Sequence, residues 1–193
     1  VYAKEKNLDP AEADEMGRGD AWTWTALDAD FKLAVNWMVG DRSGQTAYPF
    51  MQDTAYRLAN RVQLTTDGHK AYSEAVEQAF GGEIDYAQLI KLYGPDLDGE
   101  HRYSPPACIG TDTNVISGNP NRADIPTSYV ERQQNLTMRM SMRRFTRLTN
   151  GFSKKIENLG HAVSLHFLYY NFCRPHKSLK GQTPAMAAGI AFH

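Results

Sequence analysis

Between residues 22 and 93 the apolar spacing alternates between the two-residue repeat of a strand and the 3.6-residue repeat of a helix, and few folds accept that order. Residues 22–28 and 32–39 are rich in Trp, Thr, Val and Leu. The short turn Asp28-Ala29-Asp30 separates them, so they read as an antiparallel hairpin. Ser43 caps a helix running to about residue 60, in which Ala47, Phe50, Met51, Thr54, Ala55 and Leu58 recur at helical spacing. Pro49 is expected to delay that helix or kink it. Residues 61–66 read as a short strand closed by the Asp67-Gly68 turn. A helix over 69–80 follows, with Tyr72, Val76 and Phe80 on one face and Gly81-Gly82 as its stop. Residues 84–93 contain another strand, and the whole order is that of an α/β domain.

The flanks are less regular. Residues 4–20 are polar, broken by Asp9-Pro10, Gly17 and Gly19, and read as a loop. Residues 95–126 hold many Pro, Gly, Asp and Asn without a clear period and read as an irregular insertion. A long helix is expected over 128–149, with Val130, Thr137, Met140, Phe145 and Leu148 as its core side. Asn150-Gly151 interrupts it, and a second helix covers about 155–172. Thr183-Pro184 opens a final short helix, Thr183 as cap and Pro184 in the first turn. The chain of 193 residues, 41% apolar, fits one domain with an appendage: residues 1–126 as the sheet-bearing part and 127–193 as a helical basic part.

The net charge of −1 conceals an asymmetry. From Glu131 onward there are 10 Lys and Arg against 2 acids; residues 1–130 hold 11 against 20. A basic solvated helix would account for the cationic half. The alignment of its arginines along one element favours a polyanion instead. Cys108 and Cys173 form no metal pattern; two reduced thiols in a cytosolic protein are the preferred reading and one disulfide the other. No apolar run reaches membrane-spanning length, and the opening residues are not a signal peptide. Val1 is not an initiator methionine, so the chain reads as an internal fragment.

Two acids stand out. Asp67 follows a strand and precedes a helix. Such a position suits an ordinary helix cap, or a metal ligand at the carboxyl end of a strand. Glu131 sits in Ser128-x-x-Glu131, a capping box that would account for it alone. Yet Asn135 lies one turn on, and Arg132, Arg139, Arg143 and Arg147 nearly form a stripe. A cap does not require those arginines, whereas phosphate beside a metal-binding carboxylate does. His161, His166 and the aromatic run Phe167, Tyr169, Tyr170 and Phe172 read as packing or surface residues.

Several segments resemble the DDE transposases of the IS-one family of bacterial insertion sequences. They are Trp22-Thr-Trp-Thr-Ala-Leu-Asp28, Trp37-Met-Val-Gly-Asp-Arg42, Thr65-Thr-Asp67-Gly-His-Lys-Ala-Tyr72, Tyr129-Val-Glu131-Arg132, Asn135-Leu-Thr-Met-Arg139 and Phe152-Ser-Lys-Lys155. A seventh, Tyr170-Asn171-x-x-Arg174-Pro175-His176-x-Ser178-Leu179, is similar to a tail shared among integrase-like enzymes. The resemblance implies a ribonuclease-H-like mixed sheet with helices on both faces. It also implies three carboxylates that hold two Mg²⁺ or Mn²⁺ ions, hard cations that take oxygen ligands.

Asp67 matches the second acid and Glu131 the third. Arg132, Arg139, Arg143, Arg144, Lys154 and Lys155 would contact phosphate beside Asn135, while Arg174 and His176 would brace the core or touch DNA. The first acid would lie on a strand before Val1; Asp28 instead matches the end of the family's second strand. Glu131-Arg-Gln-Gln-Asn135 is one residue longer than the family's Glu-Arg-x-Asn, a step that turns a helix by about 100°. The implied partners are double-stranded DNA at transposon ends and target, and further copies of the chain on that DNA, in the bacterial cytoplasm at the nucleoid. Two other readings remain at this point: a DNA-binding remnant without catalysis, and a ribonuclease-H-like nuclease without strand transfer.

Overall fold

The computed structural model describes residues 19–94, 108–125, 136–145 and 153–192. It is a mixed α/β fold whose strands are flanked by helices. The hairpin expected from the sequence is present as β1 (Trp22–Leu27) and β2 (Ala34–Gly40), antiparallel, with Trp24 opposite Met38 and a register shift at Ala26/Leu27. Asp28 closes its turn, the carboxylate accepting from the amides of Asp30 (2.8 Å) and Phe31 (3.0 Å).

Helix α1 (Gly44–Tyr56) follows. Ser43 caps it as expected, its Oγ accepting from the Gln45 amide at 3.1 Å. Pro49 is accommodated inside the helix, which ends at Tyr56 rather than near residue 60. Strand β3 (Gln63–Asp67) then runs parallel to β4 (Asp85–Tyr93). A parallel pair needs a crossover, and α2 (Ala71–Phe80) supplies it. Gly81 stops α2 at φ 57°, a conformation that side chains disfavour.

The segment expected to be an irregular insertion contains a strand. β5 (Cys108–Ser117) pairs antiparallel with β4, with Leu89 opposite Thr113. Nearly all of its residues are exposed, so neither face is selected to be apolar and no alternation marks it in the sequence. The hydrogen-bonded strand orders are β1-β2 and β3-β4-β5; among the described residues β1 and β3 each have one strand neighbour.

Two cores hold the layers together. Trp24, Ala47, Phe50, Met51, Ala75, Val76, Ile84 and Tyr86 join α1 and α2 to both groups of strands. On the hairpin's other side Trp37 and Val39 meet a second cluster from α3 (Leu136–Ser141) and α4 (Ile156–Phe172). In α4 the buried residues Leu159, Val163, His166, Phe167 and Tyr170 recur every three to four positions, and Phe167 stacks on Trp37 with centroids 4.9 Å apart. Asn171, also buried, binds both backbone groups of Ala34: its Oδ1 accepts from the amide (3.0 Å) and its Nδ2 donates to the carbonyl (2.9 Å). Tyr170 donates to the Lys32 carbonyl at 2.9 Å. Helix α4 is thereby fastened to the first hairpin.

The expected helix over 128–149 is corrected within its described part. α3 ends at Ser141, and a 3₁₀ turn (Arg143–Phe145) follows. Met142 and Phe145 pack against the second core. Arg144 donates to the Ser153 hydroxyl and, at 3.0 Å, to the Asn158 carbonyl, drawing the chain onto the start of α4. The buried methionine is Met138, while Met140 is 79% exposed. The expected core residues Val130 and Leu148 lie outside the described residues. The final short helix, α5 (Pro184–Ala187), has Thr183 as its cap, as the sequence predicts. Cys108 and Cys173 are both free thiols. No helix among the described residues is long and apolar enough to cross a membrane.

Candidate functional site

Asp67 is the last residue of β3, and its side chain is exposed. A buried hydrogen-bond chain fixes its backbone. Gln88 donates to the Tyr86 hydroxyl (2.9 Å), which contacts Thr66 Oγ1 (2.8 Å), and Thr66 donates to the Asp67 carbonyl (3.0 Å). With Thr66 donating onward, the tyrosine hydroxyl must donate to the threonine, so all the protons point toward Asp67. Burial pushes the Tyr86 phenol up, which keeps it protonated as that donor. Gly68 lets Ile90 pack close: a Cβ at this position would lie 2.9 Å from Ile90 Cγ1.

Asp67 is not the cap of α2. The helix begins at Ala71 behind Lys70, which makes no side-chain cap bond; Asp67 Oδ1 accepts instead from the His69 amide at 3.2 Å. The carboxylate therefore sits three residues ahead of the cap position, at the mouth of an open cleft of about 560 Å³. Arg42, His69, Lys70, Lys91 and Tyr93 line that cleft with it.

The turn carrying Arg42 is pinned from several sides. Asp41 Oδ1 accepts from the Ser43 amide (3.1 Å), the Ser43 hydroxyl (2.8 Å) and the Thr46 hydroxyl (2.6 Å). Those bonds, that from Thr46 first, hold the Asp41 carboxyl below the usual carboxylate range. Trp24 Nε1 donates to the Asp41 carbonyl at 2.9 Å. His69 Nε2 lies 3.1 Å from the Arg42 carbonyl; a carbonyl only accepts, so this nitrogen carries the proton. His69 also meets Tyr72 edge-on (5.8 Å) and Trp24 at a tilt (5.7 Å). Burial, and then the Asp67 charge, push the Tyr72 phenol far up. The Arg42 guanidinium itself lies 4.8 Å from the centroid of the Trp22 ring.

The other candidate residues are distributed as follows. Glu131, Arg132 and Asn135 lie outside the described residues. Arg139, Arg143, Lys154, Lys155 and Arg174 are exposed on the helical part, and Arg144, also exposed, is committed to Ser153 and Asn158. Arg143 and Arg144 line a second cleft of about 410 Å³ with Leu165, His166 and Tyr169. His176 is half-buried, edge-on to Tyr170 at 5.3 Å, and its backbone amide donates to the Gln182 carbonyl at 2.9 Å.

Among the described residues no group of three His, Cys, Asp or Glu side chains converges, and Asp67 is the single carboxylate lining its cleft. Asp28 does not line it, and its Oδ1 is engaged by turn amides. An exposed Asp at a strand end offers the hard oxygen donor a divalent cation requires, but one carboxylate is not a complete ligand set. Sequence reasoning singled out Asp67 and missed the cations around it. Arg42 and Lys70 stand inside segments that carry the family resemblance, and Lys91 stands in a strand whose pattern is set by its apolar residues. Comparison with protein-family models, characterised proteins and solved structures finds no match to this chain.

Proposed function

We propose that this chain is a catalytic-domain portion of a DDE-type transposase of the IS-one family, built on a ribonuclease-H-like sheet. Such an enzyme cuts DNA at transposon ends and joins the freed 3′-hydroxyl to target DNA. The observation that carries the reading is Asp67: exposed at the carboxyl end of a strand with a parallel neighbour, released from capping duty, and facing a cleft rimmed by cations. Open α/β sheets present their ligands at that end of the strands. The layering adds support. A hairpin and a parallel pair share one core, and among the described residues β1 and β3 each have an edge that a strand bearing the first acid could join.

In this reading Asp67 and Glu131 hold Mg²⁺ or Mn²⁺, which would supply an activated oxygen nucleophile and charge neutralisation at the leaving oxygen. The chain's own residues do the rest. The Gln88–Tyr86–Thr66 chain holds Asp67 in place, and the exposed cations Arg139, Arg143, Lys154 and Lys155 contact phosphates. Further copies of the chain would assemble on the same double-stranded DNA.

The test expresses the chain together with the coding sequence upstream of Val1 and incubates it with Mg²⁺ and duplex DNA. Strand nicking and joining are expected. Asp67→Asn and Glu131→Gln should each lower the rate at least about a hundredfold, since several kcal/mol of charge stabilisation are lost. Nicking that survives Asp67→Asn overturns the metal assignment. One observation favours a second reading, a DNA-binding remnant: Asp67 is the single carboxylate among the described lining residues. Salt-sensitive binding without Mg²⁺-dependent nicking would support it.

A further inference from the structure

We infer that the cleft at the end of β3 is a phosphate-binding site for a nucleic-acid strand, formed by Arg42, Lys70 and Lys91 around Asp67. The inference rests on the nucleic-acid reading above and adds residues to it, placing the strand across the sheet-bearing part as well as along the basic helices.

Among the described residues, three positively charged side chains and one carboxylate line the same open cleft. They come from three separate elements: the turn after β2, the residue before α2, and β4. A solvated basic face is usually one helix or one loop, so this convergence has to be built by the fold. Cations brought together from three elements suit the regularly spaced phosphates of a strand.

Arg42 is the best-prepared of the three. Its turn is held by the Asp41 bonds to Ser43 and Thr46, by Trp24 on the Asp41 carbonyl and by His69 on the Arg42 carbonyl. Its guanidinium lies against the exposed Trp22 ring. A planar cation held in this way forfeits little side-chain freedom on meeting a phosphate. Trp22, 46% exposed, and Tyr93, 55% exposed, offer flat apolar surfaces beside the cations, the combination that single strands stack upon. The N-terminal end of α2, whose cap residue is Lys70 itself, adds a favourable field for an anion.

The experiment measures binding of a fluorescent oligonucleotide by anisotropy at several salt concentrations, with no divalent cation present. The proteins compared are the chain, its Arg42→Gln, Lys70→Gln and Lys91→Gln variants, and the triple variant. Each phosphate contact adds about 0.9 to the slope of log affinity against log salt for duplex DNA, and about 0.7 for a single strand. The triple variant should therefore lose about two to three units of slope. The salt-induced loss of affinity between about 50 and 200 mM should shrink by about 20–40-fold. Asp67→Asn should tighten binding several-fold, because it removes a negative charge facing the strand.

Circular dichroism and urea unfolding establish that the variants fold; Arg42→Lys, which keeps the charge, should retain most of the slope. An excess of mononucleotide should fail to displace the oligonucleotide; displacement overturns the assignment to a strand. If the triple variant keeps the parent's slope while Arg139→Gln and Arg143→Gln lose theirs, this site is overturned and the nucleic-acid reading stands. If the unmodified chain binds no DNA, both fall.

Discussion

Replacing Asn171 by alanine should cost more stability than any single substitution on the surface of this protein. Asn171 spends both halves of its amide on Ala34, accepting from its N–H at 3.0 Å and donating to its C=O at 2.9 Å. Ala34 is 2% exposed, so water does not reach either group once the amide is gone. A buried donor or acceptor left without a partner costs about 1–3 kcal/mol. Two orphaned groups together cost about 2–6 kcal/mol, with about 4 kcal/mol as the central expectation. For a chain of this size a urea dependence of about 2 kcal/mol per molar is reasonable, so the unfolding midpoint should fall by about 2 M.

Trp37 fluorescence is a suitable probe, since that ring stacks on Phe167 of the same helix. Tyr170→Phe removes only the bond to the Lys32 carbonyl and should cost about 1 kcal/mol. Because both residues hold the same end of the hairpin, the double variant should cost less than the two single changes combined. A midpoint shift below about 0.3 M for Asn171→Ala, with an unchanged urea dependence, would refute the view that this side chain carries the junction.

Three further outcomes are expected. Gly68→Ala should lower stability by about 1–3 kcal/mol in thermal unfolding, because its Cβ would press on Ile90 Cγ1. Burial first, and then the Arg174 charge, lower the His166 imidazole; the same causes and the Lys32 charge lower His176. The unfolded chain therefore takes up protons that the folded one resists. Stability is complete above the ordinary histidine value of about 6.5 and declines as pH falls through it toward the folded values. Among the described residues His166 Nε2 is buried without a hydrogen-bond partner, so His166→Leu should flatten this decline in urea midpoints measured across that range. Arg61 holds the Asp85 carboxyl down at about 2, so its contribution is present above the usual aspartate value and is lost as pH falls toward 2. Asp85→Asn should remove that part of the acid transition, as followed by circular dichroism.

The elements with buried apolar positions were legible from the residues. The hairpin, α1 with its Ser43 cap, α2 with its Gly81 stop, and β3–β4 follow apolar spacing that packing against the cores enforces. β5 escaped because both of its faces meet solvent, leaving no periodicity for burial to impose. The break at Met142 escaped for a different reason. Helical spacing continues through the sequence, but Arg144 is drawn to Ser153 and Asn158, a tertiary preference that local pattern does not encode. At the candidate site, Asp67 was visible as an acid between a strand and a helix. Its freedom from capping was not, since that depends on where the first turn of α2 begins. The cations facing it converge from distant segments, and only the fold brings Arg42 and Lys91 to one cleft.

The bond pair between Asn171 and Ala34 joins residues 137 positions apart. As the chain is synthesised, the β1–β2 hairpin emerges before α4, with the amide and carbonyl of Ala34 still unmatched by Asn171. Those groups wait for α4, which leaves the ribosome well after them. Contacts so distant in sequence form slowly and leave early segments open to wrong partners. A nascent chain of this protein should therefore gain protection from proteolysis in two stages, the first hairpin becoming resistant only when Asn171 has arrived.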